Sequence, residues 1–420
     1  WLKLSSALGC MRTVASEAIA MTMTMSVAPS CPRRLVPLPA LQDAPRKRAW
    51  TTRQAPRSLG ALLGAVGLAA PTLQSSRGMT RRRLRFGIGQ EGRQMGPRRR
   101  QRGLALITAA WSENDLYVEP VFRPPAEASS VILQVTNGCS WNRCSFCEMY
   151  TAGQKAFRAK TPAEIESDLR LLAELWALEA PAAPPRFFLA DGDAMTLPAG
   201  RLRDILLQVR AAFPEVTRVS SYCLPRNLLG KSVADLAELR RLGLRTLYVG
   251  CESGDDEVLR RVGKGETSET SLAALRKIKE AGLKSSVMIL HGLGGRQLSQ
   301  QHARNSALLM NAAQPNFLST LVVSFPLGQK RHAAGFVDLP SEGDAAASGF
   351  QMLTPHEVLR EMSCLLEGLN LRRTIFRSDH ASNYLALQGV LGRDKARLLG
   401  EVEAAQAGQV ELRAEWARGL

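Results

Sequence analysis

The sequence has 420 residues with 55 basic and 38 acidic side chains, a net charge of +17, and this length suffices for one large folded core or two ordinary ones. The excess charge is confined to residues 1–102, which hold 19 basic and three acidic residues, whereas residues 103–420 hold 36 basic and 35 acidic residues. This near-neutral remainder argues against a nucleic-acid-binding body, and the scattered cysteines outside residues 139–147 exclude a secreted disulfide framework.

Residues 1–125 are predicted to form a basic, disordered leader. Arg-rich, acid-poor segments without a hydrophobic period are typical of organelle transit peptides, so we expect a plastid or mitochondrial protein, or a cytoplasmic one if this segment is not a signal. The apolar run at residues 59–70 is too short to span a bilayer, and we predict no membrane span elsewhere. Arginine clusters at 81–83 and 98–100 leave an RNA-modifying enzyme as an alternative.

Strand and helix patterns alternate six times after a linker that ends near Pro125. Strands are predicted at residues 131–135, 187–190, 216–222, 246–249, 286–290 and 318–323. Helices follow them, the first opening with a capping box at Thr161 and the next four covering residues 202–212, 232–242, 268–281 and 299–313. Units of about 30 residues match βαβ crossovers. The pattern therefore predicts an α/β fold, an open partial (βα)6 TIM-type barrel over residues 126–325, with its functional residues at the carboxyl ends of the strands.

The remaining residues, 326–420, are predicted to form a loop and a small C-terminal α-rich extension. Residues 326–350 are rich in Gly, Ala and Ser and indicate a loop or a mobile cover. A second capping box, at Thr354, opens a helix through residue 369. A short strand at 374–376 then leads into the polar string RSDHASN, and a final helical stretch is predicted from Leu385 onward.

Three of the eight cysteines, Cys139, Cys144 and Cys147, lie within nine residues directly after the first predicted strand. Closed structural zinc sites need four ligands, and no second pair lies nearby. Three thiolates on a 4Fe–4S cubane would leave one iron open to an outside ligand, which is a catalytic arrangement. The alternatives for the cysteines are a chance cluster of buried free thiols or an adventitious zinc knuckle. For the whole chain, the alternative is a non-catalytic iron–sulfur or zinc binding module.

The string TNGCSWNRCSFCEMY, residues 136–150, resembles the radical SAM superfamily, which carries three closely spaced cysteines after the first barrel strand and an aromatic residue, here Phe146, before the last. The first gap has four residues where three are usual, and the string is similar to an uncharacterised subgroup with C-x4-C-x2-C spacing. The resemblance implies a 4Fe–4S cluster on the three cysteines that cleaves S-adenosylmethionine to a 5′-deoxyadenosyl radical, which abstracts hydrogen from an unidentified substrate. It also implies an external one-electron donor such as ferredoxin or flavodoxin, and we expect a small-molecule substrate rather than a nucleic acid.

By the same resemblance, the end of the second strand receives the amino group of S-adenosylmethionine. Asp191, Gly192 and Asp193 match this position, although the superfamily commonly has a Gly-Gly-Glu type motif there. A glycine permits close backbone approach, and either carboxylate can accept hydrogen bonds from an ammonium. The alternative is a plain Asp-Gly turn.

Further cofactor contacts are implied at the ends of the fourth and fifth strands. Glu252, and less strongly Ser253, match a superfamily segment whose side chain reaches the ribose or methionyl part. Asp255 and Asp256 are better explained as first-turn acids of a helix. Ile289 and the Gly292 backbone are expected beside the adenine.

The string RSDHASN, residues 377–383, supplies the candidate substrate residues Arg377, His380 and Asn383. Such side chains can bind carboxylates or transfer protons. The alternative is a satisfied turn in which Ser382 or Asn383 caps the following helix. Arg226 and Asn227, after the third strand, are weaker candidates at the same edge of the sheet.

Overall fold

A computed structural model of the chain describes residues 116–150, 156–179, 184–339 and 349–418. Its centre is an eight-stranded sheet in the order β1-β4-β5-β6-β7-β8-β9-β10, and a separate two-stranded ribbon joins β2 to β3. All neighbours in the large sheet are parallel except β9 and β10. The strands are β1 (Val131–Gln134), β2 (Thr136–Asn137), β3 (Arg158–Ala159), β4 (Arg186–Ala190), β5 (Arg218–Cys223), β6 (Leu244–Glu252), β7 (Lys284–His291), β8 (Phe317–Val322), β9 (Ile375–Ser378) and β10 (Leu387–Val390).

The helices lie between the strands, as the alternating pattern predicts. They are α1 (Pro162–Glu179), α2 (Ala199–Ala212), α3 (Val233–Arg241), α4 (Asp256–Arg261), α5 (Ser268–Glu280), α6 (Gly295–Ala313), α7 (Lys330–Ala333), α8 (Pro355–Gly368) and α9 (Lys395–Gln406). The capping boxes at Thr161 and Thr354 are confirmed, since each hydroxyl accepts from the amide three residues on, of Glu164 and Glu357. None of the helices in the described part of the chain is long and apolar enough to cross a membrane.

The two faces of the sheet are different. Alternate strand residues such as Val287, Ile289 and Leu318 join apolar helix residues in the main core. Their neighbours along the strands form a second cluster on what we call the inner face, which contains Ile132, Phe188, Tyr222, Tyr248 and Met288. Helices packed on one face, with right-handed crossovers, make a parallel sheet curl around the other face. The predicted α/β open-barrel class is therefore confirmed, and the strand order of the described residues does not close into a complete barrel.

Two predictions for the C-terminal part are corrected, and one helix was not predicted. The helix predicted from Leu385 onward is wrong for its first part, because Leu387–Val390 pairs antiparallel with β9 and only Lys395–Gln406 is helical. The C-terminal part therefore adds strands to the sheet as well as helices. The six-residue helix α4 was not predicted. Asp255 caps its start, which agrees with the interpretation of Asp255 as an acid at a helix start. The basic leader lies outside the described residues.

Candidate functional site

The three clustered cysteines lie in the loop between β2 and β3, at the carboxyl end of β1. Residues 138–150 of this segment are called the cysteine loop below. Cys144 is buried and Cys139 and Cys147 are half-buried, and all three are free thiols. The charge on Cys144 raises the pKa of Cys139, and the charges on Cys144 and Cys139 raise the pKa of Cys147. The other free cysteines of the described chain, Cys223, Cys251 and Cys364, lie in other elements.

The protein environment favours the protonated form of the three thiols. Burial raises the pKa of Cys139 and Cys144 and raises that of Cys147 to about 12. Thiolate is the form that binds metals, so iron binding must release these protons. A cationic iron core is the kind of partner that makes this deprotonation favourable.

The loop supplies three free thiols and no fourth. In the described residues, no three His, Cys, Asp or Glu side chains are grouped as ligands of a single metal ion. A cubane cluster with one open iron requires three thiolates, which is the number that this loop offers.

Asp193, at the end of β4, holds the start of the cysteine loop. Its carboxylate accepts hydrogen bonds from the Ser140 amide at 2.9 Å and from the Ser140 hydroxyl, and from the Asn227 amide group at 3.4 Å. Gly192 is required beside it, because a Cβ there would lie 2.3 Å from the Gly138 carbonyl oxygen. The close approach predicted for this glycine is thus made to the cysteine loop.

Asp191 also forms hydrogen bonds with the cysteine loop. Its carboxylate accepts from the Tyr150 hydroxyl and, at 3.4 Å, from the Gly138 amide. Both carboxylates at the end of β4 therefore anchor the two ends of the cysteine loop. Acceptance of the cofactor's ammonium at this strand end stays a prediction, and it would rely on backbone carbonyls or on a shared carboxylate.

The middle of the loop is held through Trp141, by one cation and one backbone carbonyl. The Trp141 ring stacks on the Arg226 guanidinium, 3.6 Å from its centroid, and donates from Nε1 to the Gly263 carbonyl at 2.8 Å. Arg226 in turn pairs with Glu266 at 2.8 Å. Of the weaker candidates, Arg226 thus contacts the loop at Trp141, and Asn227 contacts Asp193, which holds the loop.

Glu252 forms a buried ion pair with Lys264, with 3.1 Å between Oε1 and Nζ. Burial opposes the charge on Lys264, but Glu252 and Cys144 outweigh it and raise the pKa of the amine. Lys264 also lies 6.0 Å from the Phe146 ring centroid. Glu252 has φ +66°, a left-handed conformation that costs a non-glycine residue about 1–3 kcal/mol and is concentrated at functional sites. The predicted cofactor residues Glu252 and Phe146 are therefore brought together beside the cysteines.

A segment after β8, residues 327–338, crosses the cysteine loop and is called the strap. Arg331 donates to the carbonyls of Cys144 and Cys147, the latter at 3.3 Å. Nδ1 of His332 lies 2.9 Å from the Ser145 hydroxyl, and its Nε2 lies 3.0 Å from the Leu293 carbonyl. The strap therefore fixes the two cysteines at the end of the loop through their backbone.

The other predicted cofactor residues contact other residues of the chain. The Ile289 side chain is fully buried in the main core, so a contact from this position must come from its backbone. The Gly292 amide donates to Glu361 at 2.8 Å. The Ser253 hydroxyl lies 2.8 Å from Nδ1 of His302 and accepts from the Asp255 amide, so the suggestion that it binds cofactor is not supported.

The predicted substrate trio is separated. His380 and Asn383 belong to the β9–β10 connection, where Nδ1 of His380 accepts from the Ser382 amide and Asn383 donates to the Thr320 carbonyl. The helix cap expected of Ser382 or Asn383 is wrong, because β10 follows and Ser382 accepts instead from Val322 of β8. Arg377 alone lies within a strand, on the inner face.

Lys264, Arg331, Tyr150 and Trp141 were not predicted as site residues. Lys264 had a local sequence signal, because it lies between Gly263 and Gly265. Both glycines adopt positive φ in the structure. Arg331 and Tyr150 had none, because their partners depend on how distant loops pack.

The fold and the loop define an α/β protein with three free thiols at the carboxyl edge of its sheet. The family model described as the radical SAM superfamily matches residues 133–303, which include the cysteine loop and the strands from β4 to β7. Over these residues, about two fifths of the chain, the sequence is similar to the radical SAM superfamily. Enzymes of this superfamily use a 4Fe–4S cluster and S-adenosylmethionine and generally need an electron donor.

The chain is also similar to individual proteins. It is 29% identical over 168 residues to 4′-phospho-dehydrooxetanocin synthase of Priestia megaterium, covering 37% of this chain and 22% of that protein. The chain thus spans about a fifth of that relative's length. Among solved structures it is similar to coproporphyrinogen III oxidase of Escherichia coli, with 18% identity, a TM-score of 0.42, and coverage of 63% of this chain and 55% of that one. Methylornithine synthase gives 14% identity and a TM-score of 0.38, covering 74% and 77%.

Proposed function

We propose that the chain is a radical SAM enzyme in which Cys139, Cys144 and Cys147 bind a 4Fe–4S cluster. The observation that carries this proposal is a loop of three free thiols, without a fourth, anchored at the strand end where the family model begins. Bound there, a 4Fe–4S cluster would supply one electron for the reductive cleavage of S-adenosylmethionine to methionine and a 5′-deoxyadenosyl radical, the species that would abstract hydrogen from substrate.

The residues of this chain position and insulate that chemistry. Asp191 and Asp193 hold both ends of the cysteine loop, and Arg331 holds the carbonyls of its last two cysteines. Lys264 places a buried positive charge beside Cys144, which stabilises the thiolates and the added electron. Phe146 packs against a cluster that includes Val262 and Phe336 and excludes water from this side.

We assign the cofactor to the space between the cysteine loop and the carboxyl ends of β4, β6 and β7. Glu252 is the strongest candidate to bind it, because this carboxylate is buried, held at positive φ and paired with Lys264. The expected substrate is a small molecule, and the electron donor is a ferredoxin or flavodoxin.

The test is an anaerobic assay of the full chain after reconstitution with iron and sulfide. Dithionite and S-adenosylmethionine should give 5′-deoxyadenosine and methionine in equal amounts, slowly, even without substrate. No 5′-deoxyadenosine from protein with a spectroscopically confirmed 4Fe–4S cluster would contradict the proposal.

The basic leader is proposed to direct the enzyme to a plastid or mitochondrion, on the support of its composition. Import of the radiolabelled chain into isolated organelles, with a protease-protected shorter product, tests this. Absence of import into both would contradict it.

A further inference from the structure

Arg377 stands out on the inner face of the sheet. It is the third residue of β9 and pairs with Ser319 of β8, which pairs with Met288 of β7. Met288 belongs to the inner-face cluster with Tyr248. Because side chains alternate along a strand, Arg377 projects to the face opposite Phe376, which is buried in the main core.

This part of the inner face is accessible. Met288, Leu290, Ser319, Leu321 and Ile375 are all partly exposed, whereas the residues that alternate with them are buried. Arg377 itself is exposed. The inner walls of β7, β8 and β9 therefore line an open surface of thioether, aliphatic and hydroxyl groups with one guanidinium in it.

The charge of Arg377 is not neutralised by a neighbour. In the described part of the chain, no carboxylate lies within ion-pair distance of it and no side-chain hydrogen bond is made by it. Two other arginines of the sheet region do have a carboxylate partner: Arg218 has Glu127 at 3.0 Å, and Arg226 has Glu266.

The positive charge of Arg377 acts on Tyr248, a residue of the inner-face cluster. Burial raises the pKa of the Tyr248 hydroxyl, and Glu127 adds to this effect, while Arg218 and Arg377 oppose it. Arg218 is already paired with Glu127. Arg377 is thus an unpaired cation beside an apolar surface, an arrangement that favours binding of an anion attached to an apolar body.

We propose that Arg377 binds an anionic group, a carboxylate or a phosphate, of the substrate, whose apolar part packs on Met288 and Tyr222. This inference rests on the proposed function only in naming the ligand a substrate. His380 and Asn383, which the sequence grouped with Arg377, do not belong to the binding surface. The bidentate guanidinium fork matches either anion.

The test is protection from phenylglyoxal, which modifies accessible arginines, measured by mass spectrometry at single residues. The probes are phenyl phosphate, benzoate and neutral benzamide, and Arg373, exposed just before β9, is an internal control. Protection by a bound probe equals one plus the ratio of its concentration to Kd, so a probe at about twice its Kd slows modification roughly threefold.

We expect slower modification of Arg377, and not of Arg373, with at least one of the two anions. Phenyl phosphate alone would identify a phosphate site, and benzoate alone a carboxylate site. Equal effects at both arginines, an equal effect of benzamide, or no protection would overturn the proposal. This experiment needs no radical chemistry, so its failure is distinct from failure of the proposed function.

A second arm links the anion to turnover. An extract fraction that stimulates 5′-deoxyadenosine release is treated with phosphatase, or separately with carbodiimide and an amine. One treatment should abolish the stimulation, and Arg377→Gln should raise the KM for the untreated fraction more than it lowers kcat, with Arg377→Lys intermediate and Arg373→Gln unchanged. Stimulation that survives both treatments would contradict an anionic substrate.

Discussion

The cysteine loop and the β9–β10 connection (residues 379–386) both have the sequence signature of a functional loop, but the structure holds them differently. The polar atoms of the cysteine loop are bound by distant residues such as Asp193, Arg226 and Arg331, which leaves its thiols free. In the β9–β10 connection, His380 and Asn383 are bound by neighbours in the chain and by the backbone of β8.

This difference separates a binding loop from a structural one. In a binding loop, the supporting contacts are made to the backbone, so the reactive side chains remain available. A structural loop uses its polar side chains to satisfy its own turns. Four substitutions test this contrast, and the first three have a matched control variant outside the cysteine loop.

Cys144→Ala should abolish 5′-deoxyadenosine formation, because one of three ligands to the cluster is removed. The control is Cys364→Ala, on α8 and outside the loop. Iron content and 5′-deoxyadenosine are measured after identical reconstitution. Turnover by the Cys144 variant equal to that of the Cys364 variant would remove the ligand assignment.

Asp193→Asn should weaken both the loop and the cluster site. The carboxylate accepts from the amide and hydroxyl of Ser140, and an amide group there leaves a buried donor unpaired, which costs about 1–3 kcal/mol. Asp379→Asn, in the other loop, loses only an exposed contact with Gln388. Urea unfolding and iron per chain are measured anaerobically; equal effects in the two variants would contradict the special role of Asp193.

Arg331→Gln should lower the reduction potential of the cluster while iron binding is largely retained. Removing a positive charge near the thiolates disfavours the added electron by about 1–2 kcal/mol, or roughly 40–90 mV for one electron. Arg413→Gln is a close match, since Arg413 donates to the carbonyls of His380, Ala381 and Asn383. Potentiometric titration followed by EPR should find the reduction potential unchanged in Arg413→Gln. A shift of the same size in Arg413→Gln and Arg331→Gln would mean that the strap has no specific electrostatic effect.

His380→Gln should have the smallest effect on chemistry. Its ring accepts from the Ser382 amide, so its loss should reduce the free energy of unfolding by about 0.5–1.5 kcal/mol. The rate of 5′-deoxyadenosine release, with and without the stimulating fraction, should change by less than about twofold. A large loss of rate in a normally stable variant would return His380 to the list of catalytic candidates.

The βα order and the cysteine loop were predictable because their signals are local. Strand alternation, capping boxes and three cysteines within nine residues can be read from short windows. β10 was missed because Leu387–Val390 is short and contains a glycine, and it forms a strand only by pairing with β9.

The supports of the loop were not predictable for the opposite reason. Ser140 and Asp193 are 53 residues apart, and Arg331 is 187 residues from Cys144. The sequence therefore indicated the end of β4 as part of the site, but it gave no sign that Asp191 and Asp193 anchor the cysteine loop. Arg377, His380 and Asn383 were grouped because they are adjacent in the chain, although the pleat of β9 directs Arg377 to the inner face.

Under the proposed function, the chain provides only three ligands to a 4Fe–4S cluster. The most direct measurement is the EPR spectrum of the reduced, fully loaded protein before and after addition of S-adenosylmethionine. A cluster with an open iron should change its signal when S-adenosylmethionine binds. An unchanged signal would mean that a residue of the chain occupies the fourth position and would contradict the assignment.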